Sequence, residues 1–331
     1  CPAAGAGRGG AATGPAALMA ELSELRTGIA AELREAVPAP VAGLAAQLAQ
    51  RARGGAVAVL YYGSTLRTAA LDGLLDFYVL LDRATDWPGS RLAAAANRVL
   101  PPNVGYVEGT FDGVPLRAKY AVITMAQFEA RVAGRSLDTT LWARFCQPSR
   151  CAWQRSAADG ERVVSAISTA VVTAAGWAAA HGPAQATADA YWAALFARTY
   201  STEIRVEKGD RSLGIVAADA PRYARLLPLA WQANGIGFQD CGNGQLRPDI
   251  DEAARQDLQQ RWTRRELWGK PLNMLRLAKA AFTFDGGMDY VAWKVERHSG
   301  VRIDVKPWQR RFPLLAAPGL YLKLRRLGVI R

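Results

Sequence analysis

Residues that hold metal clusters or disulfide frameworks are scarce in this 331-residue chain, which has four cysteines and two histidines. The cysteines, at positions 1, 146, 151 and 241, form no Cys-x-x-Cys pair and no zinc-ligand spacing. Four cysteines over this length also do not make a disulfide-stabilised scaffold. The composition therefore argues against a zinc protein and a disulfide-rich secreted protein, and it favours a reducing, cytoplasmic compartment.

Large aliphatic residues are also scarce in the one uncharged stretch that is long enough to cross a membrane, 163–180. Its many Ala, Ser and Thr residues do not drive membrane insertion, so we predict a buried helix there. Residues 1–18 lack the apolar region of a secretory signal. Their Gly/Ala/Pro-rich composition predicts either a disordered segment or sequence upstream of a start at Met19.

Positive charge is concentrated near the C-terminus. The net charge is +12, and the segment 261–331 holds 16 lysines and arginines against 5 aspartates and glutamates, a difference of 11. The same segment contains four tryptophans. A basic, tryptophan-bearing segment predicts an anionic partner, either a membrane surface or a nucleic acid.

The last 26 residues, 306–331, interleave apolar and basic side chains. This composition is typical of a segment that lies in a lipid headgroup region, where each cation contributes about 1 kcal/mol. The alternative is a solvated basic tail that packs on its own domain. No nucleic-acid-binding motif accompanies these charges, so we expect no specific nucleic-acid partner. The residues assigned to the membrane surface are Trp308, Arg310, Arg311, Lys323, Arg325 and Arg326.

Helix and strand patterns alternate over 19–150 and predict an α+β domain built on a mixed sheet. Residues 151–235 read as an Ala-rich helical second domain, and 236–331 as a basic region that opens with a Gly/Asn/Pro-rich break at 237–249. In the first domain we predict helices at 19–36, 41–53 and 125–134, strands at 56–62 and 74–82, and a hairpin at 105–124 that turns at Asp112-Gly113.

The stretch YYGSTLRTAALDGLLDFYVLL, residues 61–81, places Gly63-Ser64 ahead of a strand that carries Asp76. Backbone amides at a Gly-Ser turn can hold phosphate oxygens, and a carboxylate on the neighbouring strand can hold Mg²⁺ against the same phosphates. Polymerase-β-like nucleotidyltransferases use this spacing, usually with Asp-x-Asp on the strand. Here the second position is Tyr78. The plain alternative is a turn followed by a strand with one polar residue.

A second metal ligand has two candidates, and each has a structural explanation of its own. Asp72 precedes Gly73 as a turn residue, and Asp112 is the turn residue of the predicted hairpin. In the strand LRAKYAVI, Arg117 and Lys119 alternate onto one face. Lys119 on that face either binds triphosphate oxygens or lies on a solvated edge.

Five segments in order between about 60 and 215 resemble one family, the mitochondrial translocator-maintenance type of phosphatidate cytidylyltransferase. YYGSTLR is similar to its Tyr-Gly-Ser stretch, and LLDFYVLLD to its Leu-Asp-Phe strand, which also lacks a second aspartate. FDGVPLRAKYAVIT resembles its hairpin and carries the family's lysine onto Lys119. ARFCQP matches a further stretch at Arg144, with Cys146 and Gln147 departing. RTYSTEIRV matches at Tyr200 and Arg205.

The resemblance implies a polymerase-β-like nucleotidyltransferase domain followed by a small, winged-helix-like second domain. It implies Mg²⁺-dependent transfer of a cytidylyl group from CTP to phosphatidic acid, which yields CDP-diacylglycerol and pyrophosphate at a membrane surface. Gly63, Ser64, Lys119 and Arg144 would bind the nucleotide, and Asp76 would hold the metal. Tyr200 and Arg205 would bind substrate. The expected location is cytoplasmic, with peripheral membrane attachment.

Two other functions remain open from the residues themselves. A nucleotidyltransferase of the same fold could act on RNA, a protein or a small acceptor, with no dependence on lipid. A non-catalytic membrane or nucleic-acid binder could keep a degenerate transferase fold, and Tyr78 at the usual second-aspartate position leaves this alternative open.

Overall fold

The computed structural model describes residues 15–202, 211–312, and the single positions 316 and 319. Its strands are β1 (Ala56–Tyr62), β2 (Leu74–Leu81), β3 (Asn103–Phe111), β4 (Val114–Thr124), β5 (Ser149–Gln154), β6 (Ala186–Thr187), β7 (Gly237–Asp240) and β8 (Gln245–Asp249). Its helices are α1 (Pro15–Arg34), α2 (Ala39–Gln50), α3 (Ser64–Thr68), α4 (Arg91–Val99), α5 (Met125–Val132), α6 (Thr140–Phe145), α7 (Ala157–His181), α8 (Ala188–Thr202), α9 (Arg211–Ala217), α10 (Ala220–Ala233), α11 (Glu252–Thr283), α12 (Gly287–Ser299) and α13 (Pro307–Arg311).

The chain divides into two compact units. The first contains residues up to Glu35 together with Ala126–Arg150 and Ser156–Asn273. The second contains Ala36–Met125, Cys151–Arg155 and the chain from Met274 onward. Strands and helices occur in both units, and the predicted α+β class is confirmed.

A mixed five-stranded sheet of order β3-β4-β2-β1-β5 forms the centre of the second unit. β1 pairs with β2 in antiparallel fashion and β2 with β4 in parallel. One face carries the apolar side chains of alternate positions, and α2 contributes to the same core. The predicted strands and the mixed sheet are therefore confirmed. Core positions of the two central strands include Leu75, Phe77, Val79, Leu116, Ala118 and Tyr120.

The hairpin between β3 and β4 turns at the predicted dipeptide. Asp112 has φ 48° and Gly113 has φ 77°, so both residues adopt the left-handed conformation that a tight hairpin turn requires. Aspartate tolerates this conformation and glycine adopts it without steric cost, which explains why this pair occupies the turn.

Two segments differ from the sequence-based expectation. We predicted helix from 151 onward, but Ser149–Gln154 forms β5 because the edge of β1 offers backbone partners that the local pattern does not reveal. The stretch 237–249, expected as an irregular break, forms the β7–β8 hairpin, with Gly242, Asn243 and Gly244 at positive φ. Glycine and asparagine in this segment mark the turn of a hairpin.

α7 contains the apolar stretch that the sequence marked as a membrane candidate. Among the described helices it is the one with the length and hydropathy of a membrane span, and 78% of its most apolar window is buried inside the protein. A buried core helix passes the same test of length and composition, so the finding is weak evidence for a span.

A buried ion pair joins distant parts of the first unit. Glu32 of α1 and Arg222 of α10 meet with an Nε–Oε2 distance of 2.6 Å, and their side chains are 9% and 5% exposed. Arg222 also donates to the carbonyl oxygen of Cys146 at 2.9 Å, and Glu32 accepts from the backbone amide of Ser149 at 3.2 Å. Such a pair is costly to break because the remaining charge stays buried without its partner.

We expect Glu32→Gln to lower the free energy of unfolding by about 3–5 kcal/mol, because Arg222 would keep its charge in a buried site without a counter-ion. Glu161→Gln is the matched control, since Glu161 pairs with Arg34 at 2.6 Å but has a side chain 54% exposed. An exposed pair contributes about 0–1 kcal/mol. Urea unfolding of both variants measures the difference, and equal effects would contradict the role given to the buried pair.

Candidate active site

Three polar side chains of the second unit lie in one row across neighbouring strands. Tyr62 of β1 is the register partner of Asp76 of β2, and Asp76 is the register partner of Lys119 of β4. Adjacent strands lie about 4.8 Å apart, and paired residues direct their side chains to the same face. The fold therefore brings together the carboxylate and the lysine that the sequence analysis singled out.

This row occupies the face opposite the apolar core. Phe77 and Tyr120, the sequence neighbours of Asp76 and Lys119, are 0% and 1% exposed and belong to the core, whereas Asp76 and Lys119 are half-buried. The strand alternation predicted from LRAKYAVI is thus confirmed. Half-buried charged groups can meet a ligand while remaining partly shielded from bulk water.

Tyr78 shares the face of Asp76, two residues further along β2. It is 1% exposed, and its ring centroid lies 5.6 Å from that of Tyr62. The position that holds a second aspartate in Asp-x-Asp enzymes is thus an aromatic packing position in this chain.

Gly63 joins the row to α3 and has no room for a side chain. Its φ is 97° and its ψ −162°, a conformation that only glycine adopts without strain. A Cβ at this position would lie 2.9 Å from Asp76 Oδ2. The backbone at Gly63 therefore approaches the Asp76 carboxylate closely, and exposed Ser64 begins α3 directly after it.

The two candidates for a second carboxylate lie elsewhere. Asp72 is exposed in the bend before β2, four residues ahead of Asp76. Asp112 is exposed in the β3–β4 turn, and Val114, where β4 begins, is about 17 Å from Lys119 at 3.3 Å per residue. The structure does not bring Asp112 together with Asp76. The described residues contain no group of three or more His, Cys, Asp or Glu side chains arranged to hold a metal.

Arg117, on the same face as Lys119, is engaged by a neighbouring carboxylate. Its Nε lies 3.6 Å from Glu108 Oε2, and the Tyr106 hydroxyl donates to the same oxygen at 3.1 Å. Burial raises the pKa of Tyr106, and the Glu108 charge raises it further, so the hydroxyl stays protonated and continues to donate.

Asp285, which the sequence analysis missed, anchors the chain after α11 to the sheet. Its carboxylate accepts from the Tyr120 hydroxyl at 2.8 Å and from Arg51 Nη2 at 2.6 Å, and its carbonyl accepts from the backbone amide of Tyr106 at 2.8 Å. The guanidinium of Arg51 also lies 5.2 Å from the ring centroid of Trp87. In the sequence, Asp285-Gly286-Gly287 signals only a turn, and its partners are 165 and 234 residues away.

The other predicted site residues fall outside this row. Arg144 lies in the last turn of α6 in the first unit and is half-buried. Tyr200 lies in α8, but its side chain is outside the described residues, as is all of Arg205. Their roles stay predictions.

The residues assigned to a membrane surface are only partly described. Trp308 is 50% exposed, and Arg310 pairs with Asp289 at 2.9 Å in the second unit. The side chain of Arg311 and the whole of Lys323, Arg325 and Arg326 lie outside the described residues.

Cys146, which departs from the resembled motif, is a core residue. It is 0% exposed, and burial raises the pKa of its thiol to about 12. A buried thiol with so high a pKa supplies almost no thiolate near neutral pH, so it is unsuited to nucleophilic catalysis or metal binding.

Comparison with known proteins gave no matching family model and no matching curated protein.

We expect Gly63→Ala to lower the free energy of unfolding by about 2–3 kcal/mol, because the new methyl group meets both an unfavourable backbone conformation and the Asp76 carboxylate. Gly54→Ala is the control, since Gly54 has φ 83° and a Cβ added there would meet no atom within 4 Å. That substitution should cost about 1 kcal/mol, from the backbone conformation alone.

The share of this destabilisation that comes from the contact between the added methyl group and the Asp76 carboxylate can be measured separately. Combining Gly63→Ala with Asp76→Ala removes the opposing carboxylate, so the two substitutions should cost less together than the sum of their separate effects. Urea unfolding of the two single variants and the double variant measures this coupling. Strict additivity would show that Gly63 and Asp76 do not meet.

We expect Cys241, which is exposed, to react with iodoacetamide at pH 8 at least about a hundredfold faster than Cys146. Peptide mapping by mass spectrometry after short labelling times gives the rate at each cysteine, and labelling in urea confirms that both thiols can react. Comparable native rates at the two positions would contradict the buried placement of Cys146.

Proposed function

We propose that the chain is a Mg²⁺-dependent CTP:phosphatidate cytidylyltransferase that makes CDP-diacylglycerol at a membrane surface. The observation that carries the proposal is the row across the sheet, in which Asp76 lies between Tyr62 and Lys119 and the backbone of Gly63 approaches the Asp76 carboxylate closely. A close backbone approach, a carboxylate and a lysine on adjacent strands are what triphosphate binding requires. The proposal includes a polymerase-β-like fold for the sheet and a winged-helix-like fold for the helical region that follows.

The reaction asks for positioning and charge neutralisation rather than for covalent catalysis by the protein. An oxygen of the phosphatidate phosphate forms a bond to the α-phosphorus of CTP, and the bond from that phosphorus to the bridging oxygen breaks. The bonding electron pair leaves with pyrophosphate. The attacking phosphate is already anionic near neutral pH, so no side chain has to remove a proton from it.

The donor set of the site fits Mg²⁺ bound together with a nucleotide. Mg²⁺ is commonly held by one or two carboxylates while substrate phosphates and waters complete its coordination, so a lone Asp76 suffices on the protein side. A site with one metal-binding carboxylate needs no second aspartate on β2, which agrees with the presence of Tyr78 as a packing residue at that position. When bound, the ion would neutralise phosphate charge and polarise the phosphoryl group.

Lys119 would stabilise the negative charge that develops toward pyrophosphate, because it lies one strand from Asp76 on the same face. In this proposal Arg144 adds a second cation on the phosphates, and Tyr200 and Arg205 bind substrate. Gly63 and Ser64 offer backbone amides at the start of α3.

We expect purified protein to release pyrophosphate from CTP only when Mg²⁺ and phosphatidic acid vesicles are both present. Asp76→Asn should lower the rate at least about a thousandfold, because the carboxylate that holds the metal is lost, and Lys119→Met by about a hundredfold. A coupled pyrophosphate assay gives the rates.

Asp112→Asn is the matched control for these variants. It also removes a carboxylate, but from the hairpin turn, where asparagine keeps the left-handed backbone. Its activity should stay within about twofold of the unchanged protein. Turnover that persists in Asp76→Asn, or that is indifferent to phosphatidic acid, would overturn the proposal.

A further inference from the structure

Arg117 of β4 lies on the same face of the sheet as Asp76 and Lys119. It precedes Lys119 by two residues, and its register partner in β2 is Leu74, two residues before Asp76. Positions two apart on a strand share a face and are separated by about 7 Å. Two cations and one carboxylate therefore lie close together on this face.

Arg117 also lies at the end of the sheet where the chain passes from β1 into α3. β1 and β2 are antiparallel with Tyr62 opposite Asp76, so the chain that leaves β1 runs toward the start of β2. A Cβ added at Gly73, which directly precedes β2, would lie 2.9 Å from the side-chain methyl group of Thr65 in α3. The register partner of Arg117 is the first residue of β2, so Arg117 faces the same end as the turn into α3.

The ion pair that Arg117 makes with Glu108 is a loose one. Arg117 Nε and Glu108 Oε2 are 3.6 Å apart, which is longer than a good hydrogen bond, and the two side chains are 41% and 58% exposed. An exposed pair of this kind contributes little to stability. The guanidinium can therefore leave Glu108 for a ligand at small cost.

Glu108 keeps a partner when Arg117 moves away. The Tyr106 hydroxyl donates to Glu108 Oε2 at 3.1 Å, and Tyr106 is itself 4% exposed. Its ring packs against those of Tyr290 and Trp293 in α12, with centroid distances of 5.7 and 6.4 Å. The carboxylate is thus anchored from the sheet side and does not depend on Arg117 for its position.

We propose that Arg117 binds phosphate oxygens of a ligand held at Asp76 and Lys119, and that this ligand takes the place of Glu108 on the guanidinium. The planar guanidinium offers two parallel N–H groups that match two oxygens of one phosphoryl group, whereas the ammonium group of lysine acts as a point charge. Two long cationic side chains on one face can contact the same phosphoryl group or two neighbouring ones.

The identity of this ligand rests on the proposed function, in which both substrates carry phosphate. The triphosphate of CTP and the phosphomonoester of phosphatidic acid present the same kind of oxygens to a guanidinium. The two sources are separated by measuring the affinity for each substrate independently.

Equilibrium dialysis of the full chain with radiolabelled CTP and Mg²⁺ gives the affinity for the nucleotide, and isothermal titration calorimetry with dihexanoyl phosphatidic acid gives the affinity for the acceptor. Arg117→Met should weaken one of the two at least about tenfold, because the charge-assisted hydrogen bonds are lost. A loss with CTP assigns Arg117 to the triphosphate, and a loss with the lipid assigns it to the acceptor phosphate. Arg117→Lys should recover part of the loss, since it keeps the charge but not the planar group.

Glu108→Gln breaks the same ion pair from the other side. Glutamine keeps an oxygen for the Tyr106 hydroxyl but removes a negative charge that repels phosphate and competes for Arg117. This variant should therefore bind the same ligand about two- to fivefold more tightly. If the ion pair has only a structural role, Glu108→Gln and Arg117→Met should change the affinity in the same direction, and that result would overturn the proposal.

Arg155→Met is the matched control. Arg155 pairs with Asp82 in the same unit at an Nη1–Oδ2 distance of 2.5 Å, and its side chain is 40% exposed. Asp82 follows the last residue of β2 and lies six residues, or about 20 Å, from Asp76 along the strand. This variant should leave both affinities unchanged.

Three further results would overturn the proposal: unchanged affinity of Arg117→Met for both ligands, equal losses in Arg155→Met, or no binding of either ligand by the unchanged protein. Thermal unfolding of each variant checks that the fold is retained.

Pyrophosphate release from CTP with dihexanoyl phosphatidic acid separates this proposal from the proposed function. If Arg117 binds phosphate but the function is wrong, Arg117→Met weakens ligand binding while no protein releases pyrophosphate. If the function is right but Arg117 has no part in it, the unchanged protein and Arg117→Met release pyrophosphate with the same kcat and the same KM for both substrates.

Discussion

The register of β2 between β1 and β4 is the constraint on which the candidate site depends. It fixes Tyr62, Asp76 and Lys119 at one level and on one face of the sheet. A slip of one residue would turn Asp76 into the apolar core and move Phe77 to the face that carries Lys119. The register is protected because β2 has partners on both sides and its apolar side chains fill one face completely. A carboxylate can therefore be held half-buried in a strand that is otherwise almost entirely apolar.

A second constraint acts from the far end of the chain. The carboxylate of Asp285 accepts hydrogen bonds from both Tyr120 and Arg51, and Tyr120 is the residue next to Lys119 in β4. Burial, reinforced by the Asp285 charge, raises the pKa of the Tyr120 hydroxyl and keeps it a donor. The segment that follows α11 is thus tied to the strand that carries the proposed phosphate-binding lysine.

Local patterns were enough to predict most of the second unit's sheet. The two central strands, the hairpin turn at Asp112-Gly113 and the face carried by Lys119 follow from alternation and turn chemistry, which act between near neighbours in sequence. β5 was not predicted because its pairing with β1 is a tertiary contact. The β7–β8 hairpin was not predicted because glycines occur both in irregular segments and in hairpin turns. The partners of Asp285 and of the buried Glu32 could not be predicted either. Hydrogen bonds and ion pairs between side chains 165 to 234 residues apart leave no periodic signal in the sequence.

The backbone of Asp285 pairs with β3 like a short strand, so the chain cannot be shortened before this residue without exposing the edge of the sheet. β3 lies at the edge of the sheet, and Gly105 and Tyr106 there receive the backbone of Asp285 as an additional, parallel partner. An uncovered edge strand is a template for pairing with other chains, and proteins usually protect it. A chain shortened before this point would leave that edge open to self-association and would deprive Arg51 of its carboxylate. The segment around Asp285 is therefore a part of the α+β fold of the second unit.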